Sequence, residues 1–343
     1  MTRRRRAPAA LAAVVSGYLL LAGWGVGVMA GPGTHRSVSV LCSSIDELCR
    51  EWAEGFTSET GIEVAVVRVS TGEALTRLSR PGGTREFDVW HGGPADSYVI
   101  AADRGLLAPY VSPEAGAIPA AYKDPDGYWT GVYLGVLGFC SNPAMLERLG
   151  VPVPRSWDDL LDPRLTGNVS VPSPLTSGTG YTVAWTQLHR LGSTEAALEY
   201  LTVLDARVLQ YTRSGLAPAR IAARGEAAVG VTFSQHCVQA GADALTDLRI
   251  TYPEEGTGVE IGSVALVAGS EDSDGARRYV DYALSRAAQL AGTEANAAQL
   301  PTRADLPAGP ELGAEAPLLE YTPQQAAVGR EHLVAEVVSV VPR

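Results

Sequence analysis

Four stretches of the chain put hydroxyls and glycine where a helix would begin: Ser43-Ser44, Ser70-Thr71-Gly72, Thr176-Ser177-Gly178-Thr179 and Ser214-Gly215. The first turn of a helix carries unpaired N–H donors and a partial positive charge, so such a loop can hold an anionic group without lysine or arginine. Ser and Thr are also the ordinary caps of any helix, which is the competing reading for each loop taken singly. Acidic residues separate the four. Glu47 and Glu73 follow Ser44 and Ser70 by three positions, so a capping-box carboxylate is expected on the donors there. Thr176 to Arg190 contains neither Asp nor Glu. That helix start has hydroxyl caps and no anion of its own, which makes it the best single place for an external phosphate, phosphonate or carboxylate.

Other chemistries find less support. No string ends in the Gly-Lys-Ser/Thr of a nucleotide phosphate loop, and no serine sits in a Gly-x-Ser-x-Gly elbow. Gly256, Gly258 and Gly262 imitate a dinucleotide fingerprint, but the spacing is one residue too long and a strand follows. The five histidines, His35, His91, His189, His236 and His332, form no helical pair of the kind that binds zinc. Hard Fe(III) calls for phenolate and carboxylate oxygens, yet none of the 13 tyrosines adjoins another. Tyr211 alone falls on a plausible cleft strand. An enzyme would need a positioned acid, base or nucleophile, and His236, Cys237 and Glu255 are the suggestive group.

The loops need elements to aim them. Residues 37–42 (SVSVLC) read as a strand, followed by helical spacing of Ile45, Leu48, Cys49, Trp52 and Phe56. A second strand, 62–69, enters the Ser70 loop and another helix. "FDVWHGG" is a short apolar strand ending at Gly92 and Gly93, and a helix after it stops near Gly105. "GVYLGVLGFCSN" is a long strand, "SWDDLLDPRL" a helix and a turn, and "NVSVPSP" a strand. An apolar helix runs to Leu191, another spans 194–204, a third lies near 216–224, with strands at 228–234 and in "EIGSVALVAGS". One or two helices cover 273–298. This alternation argues for an α/β architecture with a largely parallel sheet.

The 343 residues, 46% hydrophobic and 19% charged, suffice for two globular lobes. Arg3–Arg6, the apolar run from Ala9 to Val28 and the small residues before Gly31 read as an export segment over 1–30. Cleaved signal peptide and retained anchor both remain open, since the uncharged run could span a bilayer. The four arginines hint weakly at twin-arginine export, and a lipid anchor on Cys42 lacks the small residue it needs before it. Without 1–30 the chain keeps 23 basic and 38 acidic side chains, a charge of −15 that disfavours nucleic acid and anionic lipid. In an exported chain the four cysteines can oxidise: Cys42 and Cys49 are neighbours in sequence, and Cys140 with Cys237 would be the remaining pair. Buried free thiols fit the sequence equally well.

The strings "STGEALTRL", "DVWHGGPADSYVIAADRGLLAPY", "GVLGF", "TSGTGYT", "QYTRSGLAPARIAARGE" and "EEGTGVEIGSVALV" resemble, over about residues 38–310, the periplasmic solute-binding proteins of ABC importers, in the branch that binds ferric ion, phosphonates or hexose phosphates. The resemblance implies a two-lobed type II binding-protein fold that closes over a solute in a central cleft, without cofactor or catalysis. The lobes would be 37–131 with 262–300, and 132–261 with 301–343. It implies that Ser70, Thr71, Gly72, Ser177, Gly178 and Thr179 cradle a phosphate, with Ser43, Ser44, Ser214, Gly92 and Gly93 nearby. Gln235 and His236 stand where hexose-phosphate binders place His and Asp, and Glu255 or Glu260 supplies an expected acid, so sugar reading is altered. The implied partners are a small anionic solute and an ABC permease, with the protein a monomer at the cell surface or on the periplasmic side. A ferric-ion carrier is the alternative.

Overall fold

Each helix start singled out above follows a strand, because β-branched and apolar runs give way to hydroxyl-rich turns. β1 (Val38–Cys42) leads to α1 (Asp46–Thr60), β2 (Val64–Arg68) to α2 (Thr71–Leu78), and β3 (Val89–Pro94) to α3 (Ala95–Asp103). After β4 (Leu107–Ala108) come the long β5 (Thr130–Ser141), α4 (Pro143–Leu149), β6 (Val169–Pro172), α5 (Gly178–Leu191) and α6 (Thr194–Asp205). Then follow β7 (Val208–Thr212), α7 (Ala217–Ala223), β8 (Val229–Phe233), α8 (Ser234–Ala244), β9 (Arg249–Thr251) and β10 (Val259–Val267). The chain ends through α9 (Asp274–Ala283), α10 (Arg286–Glu294), β11 (Leu300–Pro301), α11 (Pro323–Ala327) and α12 (Arg330–Val340). This computed structural model describes residues 37–270, 273–294, 299–307 and 316–341. The export segment and its cleavage pattern lie outside the described residues.

The main sheet order is β2-β1-β3-β10-β5-β8-β6-β7. Pairing is parallel within β2-β1-β3 and within β8-β6-β7, whereas β10 and β5 run antiparallel to their neighbours. The sheet is therefore mixed, not largely parallel: the two strands that cross between the wings reverse direction. β5 pairs with β10 as far as Val136 and with β8 from Leu137 onward, so one strand belongs to both wings.

Two cores flank the crossing. The first centres on Trp52, Phe56, Val89 and Tyr279, with Trp90 and Tyr98 stacked at 4.1 Å on the sheet's other face. The second gathers Phe139, Trp157, Leu165, Val231 and Phe233, and takes in Leu333 and Val337 of α12. In α1, Leu48, Cys49, Trp52, Ala53 and Phe56 form the buried stripe. Gly61 ends the helix at φ 71°, a left-handed conformation that suits glycine.

Both candidate disulfides are present, Cys42–Cys49 and Cys140–Cys237. Each ties the first turn of a helix, α1 or α8, to a strand. The second joins residues 97 apart and should stabilise more, about 4–5 kcal/mol against roughly 3 or less for the short loop on a chain-entropy account.

Two local expectations fail. Residues 156–165 hold only single 3₁₀ turns, Asp158–Leu161 and Pro163–Leu165. Pro163 lacks the N–H needed to continue a helix, and the Asp159 carboxylate accepts from the Arg155 and Ser156 amides at 2.8 and 3.0 Å. Neither capping box forms. α1 is preceded by Ile45 with no side-chain cap, and Ser70 caps α2 by position but without a side-chain bond. Glu73 instead pairs with Arg77 one turn on, at 2.7 Å.

Candidate functional site

The four hydroxyl-rich loops meet at one cavity of about 50 Å³ between the wings. Ser43, Ser44, Ser70, Thr71 and Gly93 line it from the first, and Ser177, Gly178, Thr179, Ser214 and His236 from the second, with Glu260 of a crossing strand. The acid-free loop before α5 is thus one wall of four. Its Ser177 Oγ accepts from the Gly180 amide at 3.4 Å, and α5 has no acid in its first turn.

The first wing's loops are braced from behind. The Trp90 indole donates to Ser43 Oγ at 3.0 Å, and the Gly93 amide to the Tyr133 hydroxyl at 3.1 Å. Gly93 has φ 86°, and a Cβ there would lie 2.5 Å from Thr71 Oγ1. Across the cleft, a Cβ on Gly178 would lie 2.6 Å from Pro94 Cδ, so glycine lets the wings approach at their polar loops.

His236 sits in the cavity wall with Nδ1 2.9 Å from Thr232 Oγ1, which also donates to the Gly215 carbonyl at 2.6 Å. Burial, with smaller contributions from Arg68 and Arg220, pushes the imidazole down to about 4, leaving it neutral at pH 7. Glu260 is 6% exposed, and burial, reinforced by the charge of Asp96, pushes its carboxyl up to about 8. Asp96 itself is raised by burial and held back by Arg330, its ion-pair partner; that guanidinium also lies 3.9 Å over the Tyr181 ring.

Some expected residues stand elsewhere. Glu255 accepts from the Ser156 hydroxyl and the Trp157 amide at 2.5 and 3.4 Å and does not line the cavity. Its position before Gly256 sends it to the far side of the turn that β10 leaves. Tyr211 packs against the second core, and Gly72, Gly92 and Gln235 stand behind the lining. Cys237 is committed to its disulfide, so His236, Cys237 and Glu255 do not form a catalytic group.

Sequence reasoning missed Arg68, Arg213, Tyr133 and Gln299, all in the cavity wall. Both arginines are exposed, sit on opposite wings, and pair with no carboxylate among the described residues. Arg68 Nε donates to the Ser44 carbonyl at 2.9 Å, which fixes the guanidinium beside the loop. A signal was there: each arginine stands one or two residues before a hydroxyl loop, in "RVST" and "RSG". Tyr133 looked like core because it lies on an apolar strand.

Two further spaces adjoin the cavity. A groove of about 380 Å³ between α1 and α7, with Arg220 and Arg224 beside Asp46 and Glu47, shares Ile45, Arg68, Ser214 and Leu216 with it. Pro94 and Glu260 also line an annex of about 30 Å³ walled by Tyr181, Trp185 and Tyr321.

Two α/β wings joined by crossing strands, with polar helix starts facing a central cavity, define a two-lobed binding protein of the periplasmic type. The chain belongs to the bacterial extracellular solute-binding protein family, whose model matches residues 95–323. It is 34% identical to an uncharacterized protein of Haemophilus influenzae over 84% of each chain. It is 26% identical to a putative 2-aminoethylphosphonate-binding periplasmic protein of Salmonella typhimurium, covering 74% of this chain and 73% of that one. Its structure is similar to that of the periplasmic binding protein AfuA of Actinobacillus pleuropneumoniae with exogenous fructose-6-phosphate bound: TM-score 0.84, 30% identity, covering 90% of this chain and 99% of that one. The protein is thus a solute-binding component of an ABC importer, working with a small solute and a membrane permease. Among the described residues no helix is long and apolar enough to cross a membrane.

Proposed function

We propose that the protein captures a small solute bearing a phosphate or phosphonate oxyanion and delivers it to its permease. One observation carries this reading: two arginines with no acidic partner among the described residues, one from each wing, share a cavity with four hydroxyl-lined helix starts. The oxyanion would take N–H and hydroxyl donors from Ser70, Thr71, Ser177, Gly178 and Thr179, with Arg68 and Arg213 closing over it. The lobes would be 37–131 with 262–300, and 132–261 with 301–343, moving about the crossing strands. A solute touching both lobes favours the closed state in proportion to the contacts it makes only there.

Neutral His236 suits a hydrogen-bonding role toward the solute rather than a charged one. The Tyr133 phenol, kept protonated by burial and already bonded to Gly93, is a poor ligand for Fe(III), which favours the anion reading over the ferric one. The separation of His236, Cys237 and Glu255 favours binding without turnover. With its charge of −15 the exported chain would act as a monomer and would not engage nucleic acid. Residues 1–30 would direct export, whether removed or kept as an anchor.

A thermal-shift panel of inorganic phosphate, hexose phosphates, alkylphosphonates and Fe(III) tests this. A solute at a hundred times its Kd adds about 2.7 kcal/mol to stability and lifts the midpoint by roughly 5 °C. Absence of a shift with every phosphorus compound would overturn the reading. Product release from a sugar phosphate would overturn the non-enzymatic part.

A further inference from the structure

Two helix starts break a local rule in the same way. The cap position before a helix favours Ser, Thr, Asp or Asn, whose side chains accept from the first free N–H groups, and Ile and Leu rank last there. α1 is capped by Ile45 and α7 by Leu216, neither with a side-chain bond, although Ser44 and Ser214 stand one and two residues earlier. α1 belongs to the first wing and α7 to the second. At both, an ordinary local stabilisation is given up for an apolar side chain.

Packing shows where those side chains go. Ile45 is 7% and Leu216 5% exposed, and Leu216, although it comes from the second wing, lies in the hydrophobic cluster of the first together with Ile45. Both line the central cavity of about 50 Å³ and also the groove of about 380 Å³ between α1 and α7. They therefore stand in the wall between the two spaces, one from each wing. The rest of this side is loosely joined. Glu47 and Arg220 approach only to 3.9 Å, at 50% and 41% exposure, and Arg220 also meets Asp243 at 3.5 Å. An exposed pair of this kind biases an equilibrium by about fivefold at most.

The annex side is built differently. There α3 of the first wing touches α11, and Asp96 pairs with Arg330 of α12, both side chains buried. The Arg330 guanidinium lies 3.9 Å over the Tyr181 ring, whose hydroxyl donates to the Ala326 carbonyl. Arg104 and Glu331 add an outer pair. Parting α3 from α12 would lift a guanidinium off an aromatic face, separate a buried ion pair and wet apolar surface together. Widening the groove would release one exposed pair and wet two aliphatic side chains. The groove is the easier side to open.

We propose that solute enters and leaves between α1 and α7 through an apolar gate made of Ile45 from the first wing and Leu216 from the second, while the contact of α3 with α11 and α12 stays shut as the pivot. The proposal rests on the reading of the chain as a binding protein that closes between its wings, and adds the route and the residues that bar it.

The test measures two distances by pulsed EPR on the whole chain. The four native cysteines are all in disulfides, so introduced cysteines take the spin labels alone. Arg50→Cys with Arg224→Cys reports across the groove, and Asp103→Cys with Ala335→Cys reports across α3 and α12; all four positions are exposed. Each distance is compared with the value the closed form gives. Leu216→Asp places in the apolar cluster a carboxylate that is costly to keep dry. The groove distance should then lengthen by about 5 Å or more, while the α3–α12 distance stays within about 2 Å of its closed value. Leu216→Ala should widen the groove in the same direction by less, and serves if the aspartate variant does not fold. Lengthening across α3 and α12 with the groove unchanged, or across both alike, would overturn the proposal. So would a groove that keeps its closed width in both variants. Free wild-type protein that is open, and is not drawn shut by millimolar inorganic phosphate, hexose phosphate or alkylphosphonate, would overturn the oxyanion reading and leave the gate standing.

Discussion

The arginine end and the glutamate end of the cavity are built in opposite ways. Arg68 and Arg213 are exposed, sit where strands run out into loops, and come from different wings. Glu260 is buried on β10, which pairs with β3 of the first wing and with β5, the strand shared by both wings. The two arginines therefore come to the cavity from different wings, while Glu260 reaches it from a strand between them. The difference teaches that one cavity sets exposed cations drawn from two wings beside a carboxyl buried between them.

The largest effect should follow from removing both exposed cations. Charge-assisted hydrogen bonds contribute about 1.5–3 kcal/mol each, so Arg68→Ala with Arg213→Ala should weaken phosphonate binding by a hundredfold or more, read by calorimetry. Each single change should cost on the order of tenfold. A double variant that binds like wild type would erase the comparison.

Next comes the buried end, read through stability rather than binding. Glu260 has a folded-state pKa of about 8, above its unfolded value of 4.5. Its favourable contribution is thus complete below pH 4.5 and is lost as pH rises through 8. Glu260→Gln should escape that loss. Its unfolding midpoint without ligand should match wild type near pH 4.5 and exceed it by about 7 °C near pH 8.5, a difference on the order of 5 kcal/mol. Equal pH profiles would mean that Glu260 is solvated in the empty protein.

A smaller effect belongs to the hydroxyl wall. Thr179→Asp puts a carboxylate in the first turn of α5, where the helix dipole tolerates it. Thr179 is 6% exposed, so the new charge should cost fold stability on the order of 1–3 kcal/mol while phosphonate affinity falls about tenfold; unchanged affinity would remove this loop from the site. Salt gives the mildest test. Phosphonate affinity should fall a few-fold between 0.05 and 0.5 M NaCl, because the arginines are exposed. An affinity that does not move with salt would take the arginines out of the site.

Local sequence determined a good part of this molecule. Alternation of apolar strands with periodic helices made the α/β class legible, and Gly178–Leu191 could be read from its cap and its run because both signals lie within a few residues. The hydroxyl loops were legible for the same reason. Distances across the fold were not. Whether Glu73 caps its own helix or pairs with Arg77 is a competition that sequence spacing leaves undecided, and Glu255 and Glu260, five residues apart, looked equivalent. Tertiary packing separated those two acids: a turn at Gly256 carries Glu255 to Ser156 and Trp157, while the crossing strand carries Glu260 into the cavity.

Sequence by itself thus fixed which loops could donate hydrogen bonds to an anion, because helix starts and their caps are short-range features governed by backbone geometry. Only the tertiary structure decided that four such loops share one cavity, that two arginines join it from opposite wings, and that the buried Glu260 lines it too. Those juxtapositions depend on strands that cross between two cores, and the burial that shifts Glu260 and His236 exists only once both cores are packed.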